Sequence, residues 1–497
     1  MPSAAWDLLE KIRQIYYIDY SDKKESCISS EGSVRRHYMK TRVGFVVFGT
    51  HKDGLPDPMG NPFIDEAIIS ASEKALEARD VTLVKWPVIL ANKAEAKEAL
   101  TAMKKDDSID ALVLFAGTWI WSGLMIAAVR DFATSQKPII LWTHPGSQGW
   151  RPVGGFVMHG TMLEVGIRHK FVYAAADDAD KVDEIAYWCR AGKLRRQLNM
   201  STIGVFGGRG MGQACGVADP SQWMRVFGVD IDSRDTTELL ETARAVTDEE
   251  IAQVMPKIIR LFGKAPEMDD TARRSIALYV ALKKVVEKNG FDFYTIQSFP
   301  GLGDDYGATC FAQSMMLEDG IPTSTLSDFN TAMTVYLLTN LSERRVYYGD
   351  LQHFDRKARE AKIIGDGAVP PSLADPKDPA DFAGHGIPTE GAAGGLSVKL
   401  TCLPGKCVLA RLGRIEGRFV MTLAEGEVFV PDNLEERKLE CGIPFWPHAF
   451  VKLGDNVDVD RLVEGYMNEY GVLGYGSHLM GELTAFCEIM GIEVIKA

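Results

Sequence analysis

Strand-like and helical patterns alternate along residues 41–175, and this alternation constrains the fold more than any other feature. Four short apolar runs are separated by segments with the 3.6-residue spacing of a helix. The runs are VGFVVFG (43–49), VTLVKWP (81–87), ALVLFAG (111–117) and PIILWTH (138–144). Continuous apolar runs are typical of strands that are buried on both faces. The pattern therefore predicts a doubly wound parallel sheet.

The alternation returns after residue 176 and gives way to short alternating segments with Gly turns after residue 356. A chain of 497 residues is too long for a single core. The predicted fold is α/β, with two doubly wound parallel-sheet domains followed by a β-rich C-terminal domain. Its predicted parts are a helical lead-in (1–40), a first α/β domain (41–175), a second α/β domain with a central acidic segment (176–355), and the C-terminal domain (356–497).

Net charge indicates which partners to expect, and cysteine usage indicates the cellular compartment. The net charge of −13 argues against a nucleic-acid or anionic-membrane partner, because both need a basic surface. Eight scattered cysteines without a CxxC pair are typical of reduced thiols in a cytoplasm. The N-terminus lacks the pattern of a signal peptide, and no run of about 18 apolar residues occurs. We expect a cytoplasmic protein.

The stretch Gln297–Asn330 carries the densest candidate chemistry. Asp304 and Asp305 lie on one side of a segment rich in small residues and Met, and Asp328 lies on the other. The segment between them, which contains Cys310, reads as a buried helix. Carboxylates aimed into a cleft bind a hard divalent cation or move protons. The alternative is that the acids only cap helices and turns, where Asp is favoured. Cys310 reads as a core residue rather than a nucleophile, because buried thiols are inert.

Two further candidates follow predicted strands, where ligands bind in doubly wound sheets. Trp119 and Trp121 come after the third apolar run and could stack on a sugar or cap the core. A glycine-rich loop with Arg209 follows the strand that begins at Thr202. It lacks the GxGxxG spacing and the P-loop Lys, so it is a weak nucleotide motif, but it could hold hydroxyls or an anion.

Five segments in the same order resemble the L-fucose/L-arabinose isomerase superfamily, and the resemblance spans most of residues 41–497. The segments are GGRGMGQACGVADPSQWMRVFGVDI (207–231), LGDDYGATCFAQSMMLEDGIPTSTLSDFNTAMT (302–334), GDLQHFDRKAREAKIIGDGAVPPSLA (349–374), PFWPHAFVKL (444–453) and ELTAFCEIMGIEV (482–494). The resemblance implies a fucose-isomerase-like fold and a homo-oligomer, a trimer or hexamer. It places the site between the second and third domains and has a neighbour's first domain close it. It also implies an aldose–ketose isomerase that uses Mn²⁺ and works through an enediol.

The sequence departs from the family pattern at the expected metal ligands. Leu326 stands where relatives carry a Glu, two residues before the retained Asp328, and Gly301 lies roughly where another Glu is expected. The Asn-His ligand pair of the C-terminal domain is replaced by Asn468-Glu469, with Tyr470 next. The expected metal set is therefore incomplete: Asp328 by its position in the family pattern, Asp304 or Asp305 by proximity, and His478 as a substitute ligand. Glu469 or Tyr470 could substitute for a ligand.

Site roles follow from the resemblance and from position along strands. The expected catalytic carboxylates are Asp328, Asp304 and Asp305. His353 follows Asp350 at a predicted strand exit, and His448 lies in Trp-Pro-His; each could instead be structural. The expected substrate-binding residues are Arg209, Trp119, Trp121, His353, His448 and Tyr470.

The sequence is compatible with three functions. The first is a metal-dependent sugar isomerase with altered ligands. The second is a remodelled sugar-acting enzyme on the same scaffold, such as an epimerase, lyase or hydrolase. The third is a non-catalytic sugar-binding subunit, which would be stabilised by its ligand without turning it over. The sequence does not identify the sugar or show whether it carries a phosphate or sulfonate.

Overall fold

The structure is a computed structural model that describes residues 40–50, 64–146, 150–210, 213–384, 393–440 and 444–497. The predicted helical lead-in falls within residues 1–40 and lies outside the described residues, apart from Lys40. No described helix is both long and apolar enough to cross a membrane.

The first sheet is parallel, as predicted, with the strand order β2-β1-β3-β4-β5. Its central strands are buried along almost their whole length because both faces are covered by helices. The strands are β1 (Thr41–Phe48), β2 (Val81–Lys85), β3 (Ala111–Ala116), β4 (Ile139–Thr143) and β5 (Lys170–Tyr173). The helices of this region are α1 (Glu66–Glu77), α2 (Lys93–Lys105), α3 (Ile126–Ala133), α4 (Arg151–Glu164) and α5 (Ala179–Leu198).

A second parallel sheet has the order β7-β6-β8-β9. Its strands are β6 (Thr202–Phe206), β7 (Asp230–Arg234), β8 (Phe293–Ile296) and β9 (Thr323–Ser324). Seven helices connect these strands or follow them: α6 (Pro220–Phe227), α7 (Thr236–Arg244), α8 (Asp248–Phe262), α9 (Asp270–Asn289), α10 (Gly301–Asp305), α11 (Cys310–Glu318) and α12 (Phe329–Leu341). The predicted buried helix of the central segment is α11, whose residues from Cys310 to Leu317 are all buried.

The C-terminal region is β-rich, as predicted, and its large sheet has the order β14-β17-β10-β11-β16-β15-β18. Because β14 also pairs with β15, six of these strands close into a barrel-like ring. Its strands are β10 (Tyr347–Asp355), β11 (Glu360–Ile364), β14 (Gly405–Ile415), β15 (Arg418–Phe429), β16 (His448–Leu453), β17 (Tyr470–Tyr475) and β18 (Glu493–Lys496). Strands β12 (Asp381–Gly384) and β13 (Leu396–Lys399) form a separate pair. The helices here are α13 (Leu434–Leu439), α14 (Val459–Gly465) and α15 (Leu479–Met490).

The predicted domain boundaries stay predictions. One observation concerns the boundary between the second α/β domain (176–355) and the C-terminal domain (356–497). Strand β10 lies before residue 356, yet it pairs with β11 and β17 of the C-terminal sheet. The chain therefore enters this sheet directly after α12. This short connection places the carboxyl ends of β8 and β9 next to the ring of strands.

Candidate active site

A cavity of about 320 Å³ opens where the second sheet meets the C-terminal ring. The second sheet contributes the residues that follow β8 and β9 and the start of α11. The ring contributes β10, the residues after β11 and the start of β17. The lining residues are Ser298, Phe299, Ala308, Thr309, Cys310, Leu326, Asp350, Leu351, Gln352, Asp366, Glu469 and Tyr470. Ligands of doubly wound sheets bind at this end of the strands.

Three carboxylates line the cavity: Asp350, Asp366 and Glu469. The described lining residues include no Lys, Arg or His. Asp350 is in register with Tyr470 on the neighbouring strand, so both side chains belong to one face of the sheet. Glu469 Oε1 accepts a hydrogen bond of 2.7 Å from Gln213 Nε2, which lies in the loop after β6. The cavity is acidic and rich in hydrogen-bonding groups.

Tyr470 supplies a hydroxyl that stays protonated. Burial raises the pKa of its phenol well above the ordinary value, and the charges of Asp350 and Asp366 raise it further. Its hydroxyl lies 3.0 Å from Thr325 Oγ1. A neutral phenol can donate a hydrogen bond to a carbonyl or hydroxyl oxygen of a ligand.

Asp328 does not line the cavity but lies in a buried ionic cluster behind it. Its Oδ1 accepts from the backbone N–H of Thr331 at 2.9 Å, which caps α12. Its Oδ2 accepts from Arg411 Nη2 at 2.7 Å and from Asn468 Nδ2 at 2.8 Å. Asp328 and Arg411 are both almost fully buried.

The donor set at Asp328 does not fit a divalent cation. Both carboxylate oxygens already accept hydrogen bonds, and a guanidinium lies where a second positive charge would be repelled. Among the described residues, no group of three or more His, Cys, Asp or Glu side chains is arranged to hold a metal. The Mn²⁺ that the resemblance implies has no complete site in the described part of the chain.

The other expected ligands lie in separate surroundings. Asp304 and Asp305 are exposed at the end of α10, and Asp305 pairs with Arg244 at 2.7 Å. His478 precedes α15, with its Nδ1 3.4 Å from Glu343 Oε1 and its Nε2 3.6 Å from Glu482 Oε2. None of these three expected residues lines the cavity. Catalytic or metal-binding roles for them stay predictions.

Of the expected substrate-binding residues, only Tyr470 lines the cavity. Arg209 is exposed in the loop after β6, and His353 is exposed on β10. His448 is buried and stacks on Phe450, with ring centroids 6.1 Å apart. Trp119 and Trp121 pack edge to face at the end of β3, with centroids 4.6 Å apart. Binding roles for Arg209, His353 and His448 and for the two tryptophans stay predictions.

Sequence reasoning singled out some cavity residues only weakly and missed others. Glu469 was considered only as a replacement ligand, and Asp350 only as a neighbour of His353. Asp366 was missed altogether. It follows the apolar run of β11 in Ile364-Gly365-Asp366. An acid directly after a strand is the signal that would have identified it.

Comparison with known proteins gives several relatives that are named as sugar isomerases. No family model matches the chain. A sulfoquinovose isomerase of Clostridium sp. (strain MSTE9) is 25% identical over 373 residues, which cover 72% of this chain and 80% of that protein. The sulfoquinovose isomerase of Priestia aryabhattai is 23% identical over 56% of this chain, and the match spans 64% of that protein, less than two thirds. An L-arabinose isomerase of Clavibacter sepedonicus is 25% identical over 34% of this chain and 35% of its own length.

A solved structure of a periplasmic solute binding protein from Actinobacillus succinogenes 130z, with bound D-allose, covers 60% of this chain and 91% of its own at 11% identity. Its TM-score is 0.17, too low to assign a fold. The sequence relatives confirm the resemblance to the L-fucose/L-arabinose isomerase superfamily. They also confirm the expectation that the chain is an enzyme of the isomerase class.

Proposed function

We propose that the chain is an aldose–ketose isomerase with a fucose-isomerase-like fold, and that its substrate is a sugar without an anionic substituent. The observation that carries the proposal is the cavity between the second sheet and the C-terminal ring. It brings three carboxylates and a neutral phenol together around a volume of about 320 Å³. Proton transfer between the two carbons of an open-chain sugar needs such acid and base groups at close range.

Glu469 is the proposed base, because Gln213 fixes one of its oxygens. The carboxylate takes the proton from C2 of the open-chain aldose. The electrons of that C–H bond form the C1–C2 double bond, and the aldehyde oxygen takes a proton to give the enediol. The aldehyde oxygen takes its proton from water, and the C2 hydroxyl later returns one proton to water. Glu469 then returns the held proton to C1, which gives the ketose. Tyr470 donates a hydrogen bond to the reacting oxygen, and Asp350 and Asp366 accept from sugar hydroxyls.

The charge of the cavity supports a sugar without an anionic group. The relatives named sulfoquinovose isomerases are named for a sulfonated sugar. In this chain the described lining residues offer three carboxylates and no cation to a sulfonate. Like charges in a partly desolvated cavity repel strongly. Uncharged hydroxyls, in contrast, donate well to carboxylate oxygens.

The test is a panel of uncharged aldoses and ketoses, together with sulfoquinovose, with exchange at C2 followed in D₂O. We expect exchange and isomerisation with at least one uncharged sugar, and a kcat/KM for sulfoquinovose lower by at least about tenfold, which corresponds to about 1.4 kcal/mol. Absence of exchange across the whole panel would refute the isomerase. A preference for sulfoquinovose would refute only the charge assignment.

An epimerase on the same scaffold is the second candidate, and the engagement of Asp328 by Arg411 favours it. That ion pair removes a carboxylate that the resemblance assigns to isomerase chemistry. An epimerase uses the same removal of a proton next to a carbonyl but returns the proton to the opposite face. The configuration of the product from the D₂O reaction separates the two candidates.

A further inference from the structure

Arg411 joins three separate segments of the chain through one buried side chain: its own strand, the start of α12 and the residues before β17. The residue lies on β14 and is 1% exposed. Its Nη2 donates to Asp328 at 2.7 Å, its Nε donates to the carbonyl of Met467 at 3.0 Å, and its Nη1 contacts Thr331 Oγ1 on α12. Asn468 completes the cluster by donating to the same oxygen of Asp328 at 2.8 Å. We call Arg411, Asp328, Asn468 and Thr331 the buried clamp.

The buried clamp lies directly behind two turns with unusual backbone conformations. Leu326 and Ser327, which precede Asp328, have φ values of 57° and 52°, and Asn468 has a φ of 79°. Residues with a Cβ adopt these left-handed conformations at a cost, and they persist only where the surroundings hold them. Here the hydrogen bond between Asp328 and Asn468 links one turn to the other.

The two turns carry part of the cavity wall. Leu326 lines the cavity, and Glu469 and Tyr470 follow Asn468 in sequence. The backbone N–H of Glu469 also donates to Asn468 Oδ1 at 2.8 Å. A shift of the clamp therefore moves the proposed base.

We propose that Arg411 replaces a divalent cation at Asp328, and that the buried clamp acts as a metal-independent positioning device for Glu469 and Tyr470. The guanidinium supplies the positive charge that neutralises the buried carboxylate. Its fixed fork of donors holds three partners at defined angles, which a compact ammonium cannot do. Asp328 and Arg411 are positioning residues rather than catalytic residues. The proposal that Arg411 replaces the cation is independent of the proposed function, while the positioning role rests on the proposed function.

The claim that Arg411 replaces a cation at Asp328 is tested on the full chain after dialysis against a chelator. Mn²⁺ is titrated, bound ion is counted by electron paramagnetic resonance, and the unaltered protein is compared with Asp328→Asn, which keeps an oxygen to cap α12. We expect equal binding in both proteins and no rise in the thermal midpoint that depends on Asp328. One equivalent of Mn²⁺ bound by the unaltered protein and lost in Asp328→Asn would overturn the proposal.

If Asp328→Asn does not fold, a second measurement decides whether Asp328 binds a cation. Anomalous scattering from an Mn²⁺-soaked crystal of the unaltered protein locates any bound ion. An ion coordinated by an Asp328 oxygen overturns the proposal. An ion elsewhere, or no ion, supports it.

The positioning role is tested with Arg411→Lys, which keeps the positive charge but loses the planar set of N–H donors of the guanidinium. We expect kcat/KM to fall by about tenfold or more, since a misplacement of about 1 Å by a distant substitution can cost about 10²-fold. We also expect kcat to fall with little change in its pH profile, because the titrating groups are untouched. Arg414→Lys is the matched control, because Arg414 lies on the same strand, is only partly buried, and donates from Nη1 to Gln222 Oε1 at 3.1 Å, away from Asp328.

Unchanged kcat and KM in a folded Arg411→Lys protein would overturn the positioning role. A shifted pH profile would also overturn it, because it would place the clamp in the chemistry itself. If the unaltered protein turns over none of the sugars in the panel, the proposed isomerase fails. The Mn²⁺ measurements then still decide whether Arg411 replaces a metal.

Discussion

Glu469 makes hydrogen bonds through its side chain, its backbone N–H and its carbonyl. A substitution that changes a single side-chain atom is therefore informative. Gln213 binds its side chain, Asn468 accepts from its backbone N–H, and its carbonyl accepts from the backbone N–H of Leu351 at 2.8 Å. Most of these contacts survive the substitution Glu469→Gln. The substitution therefore removes the base with little change in shape.

We predict that Glu469→Gln lowers kcat by about 10²–10⁴-fold, the usual contribution of a general base. The loss should be seen both in ketose formation and in proton exchange at C2. The control is Glu464→Gln, an exposed carboxylate on α14 five residues earlier. Full turnover by Glu469→Gln would show that another group is the base.

The pair of Asp328 and Arg411 gives a second prediction, about stability. Removal of one partner leaves the other charge buried and unpaired, and we expect Asp328→Asn or Arg411→Met to cost about 3–5 kcal/mol each. The double substitution leaves no buried charge, so it should cost less than the sum of the two. The free energies of unfolding from urea titration test this cycle. Costs that simply add would show that the two side chains do not interact.

The helices α5 and α15 pack against each other, and their contact contains a buried carboxylate. Glu482 on α15 is 1% exposed and pairs with Arg190 on α5. Burial raises the pKa of Glu482 above its ordinary value of 4.5, and the charges of Arg190 and His478 oppose the shift. The folded state therefore binds this proton more tightly than the unfolded chain does.

It follows that the contribution of this proton to stability is present below about pH 4.5 and is lost as the pH rises through the raised pKa. We predict that Glu482→Gln removes this part of the pH dependence, so its free energy of unfolding falls less steeply than that of the unaltered chain above about pH 4.5. Urea titrations at a series of pH values measure the slopes. Glu343→Gln is the control, because Glu343 faces the same His478 from a side chain that is 59% exposed. Identical slopes in all three proteins would contradict the prediction.

At the level of elements, local sequence predicted most of the fold. Apolar runs such as Ala111–Ala116 and the burial of α11 follow from patterns within a few residues. The closure of the C-terminal ring did not follow, because it depends on pairing between β14 and β15 on one side and β17 on the other. Long-range register of this kind leaves little trace in local periodicity.

The candidate site was less predictable for a related reason. Asp328 stood out as an acid beside a predicted cleft, but its charge is neutralised by Arg411, 83 residues away in sequence. Asp366 gave only a weak signal because its neighbours in the cavity come from other strands. Sequence spacing identifies acids near strand ends. It does not show which of them face a cavity and which face a buried cation.

At the scale of the whole molecule, one aromatic cluster remains outside the cavity of its own chain. Trp119 and Trp121 follow β3, and Trp150 directly precedes α4; the Trp119 and Trp150 ring centroids are 6.4 Å apart. Trp121 is 67% exposed and Trp150 is 52% exposed. Large aromatic side chains in such a position are typical of surfaces that bind a sugar or another protein. We propose that the protein is a homo-oligomer in which this cluster completes the cavity of a neighbouring copy.

The proposal predicts complementation between two impaired proteins. Trp121→Ala should lower turnover by about tenfold or more, since truncation of a tryptophan that is central to an interface typically costs about 2 kcal/mol or more. Its thermal midpoint should stay unchanged, because an exposed side chain contributes little to folding. Co-expression with Glu469→Gln then creates mixed oligomers. In these, some cavities combine an intact Glu469 from one copy with an intact Trp121 from another.

Such mixed oligomers should show a higher turnover than either variant shows alone. The measurement is the kcat of the purified mixture, with each variant carrying a different tag so that only mixed species are recovered. Light scattering on the same sample gives the number of copies. If cavity and tryptophan cluster belonged to one chain, every site in the mixture would lack one of the two residues. Turnover would then stay at the level of the separate variants, and the cluster would act within its own copy.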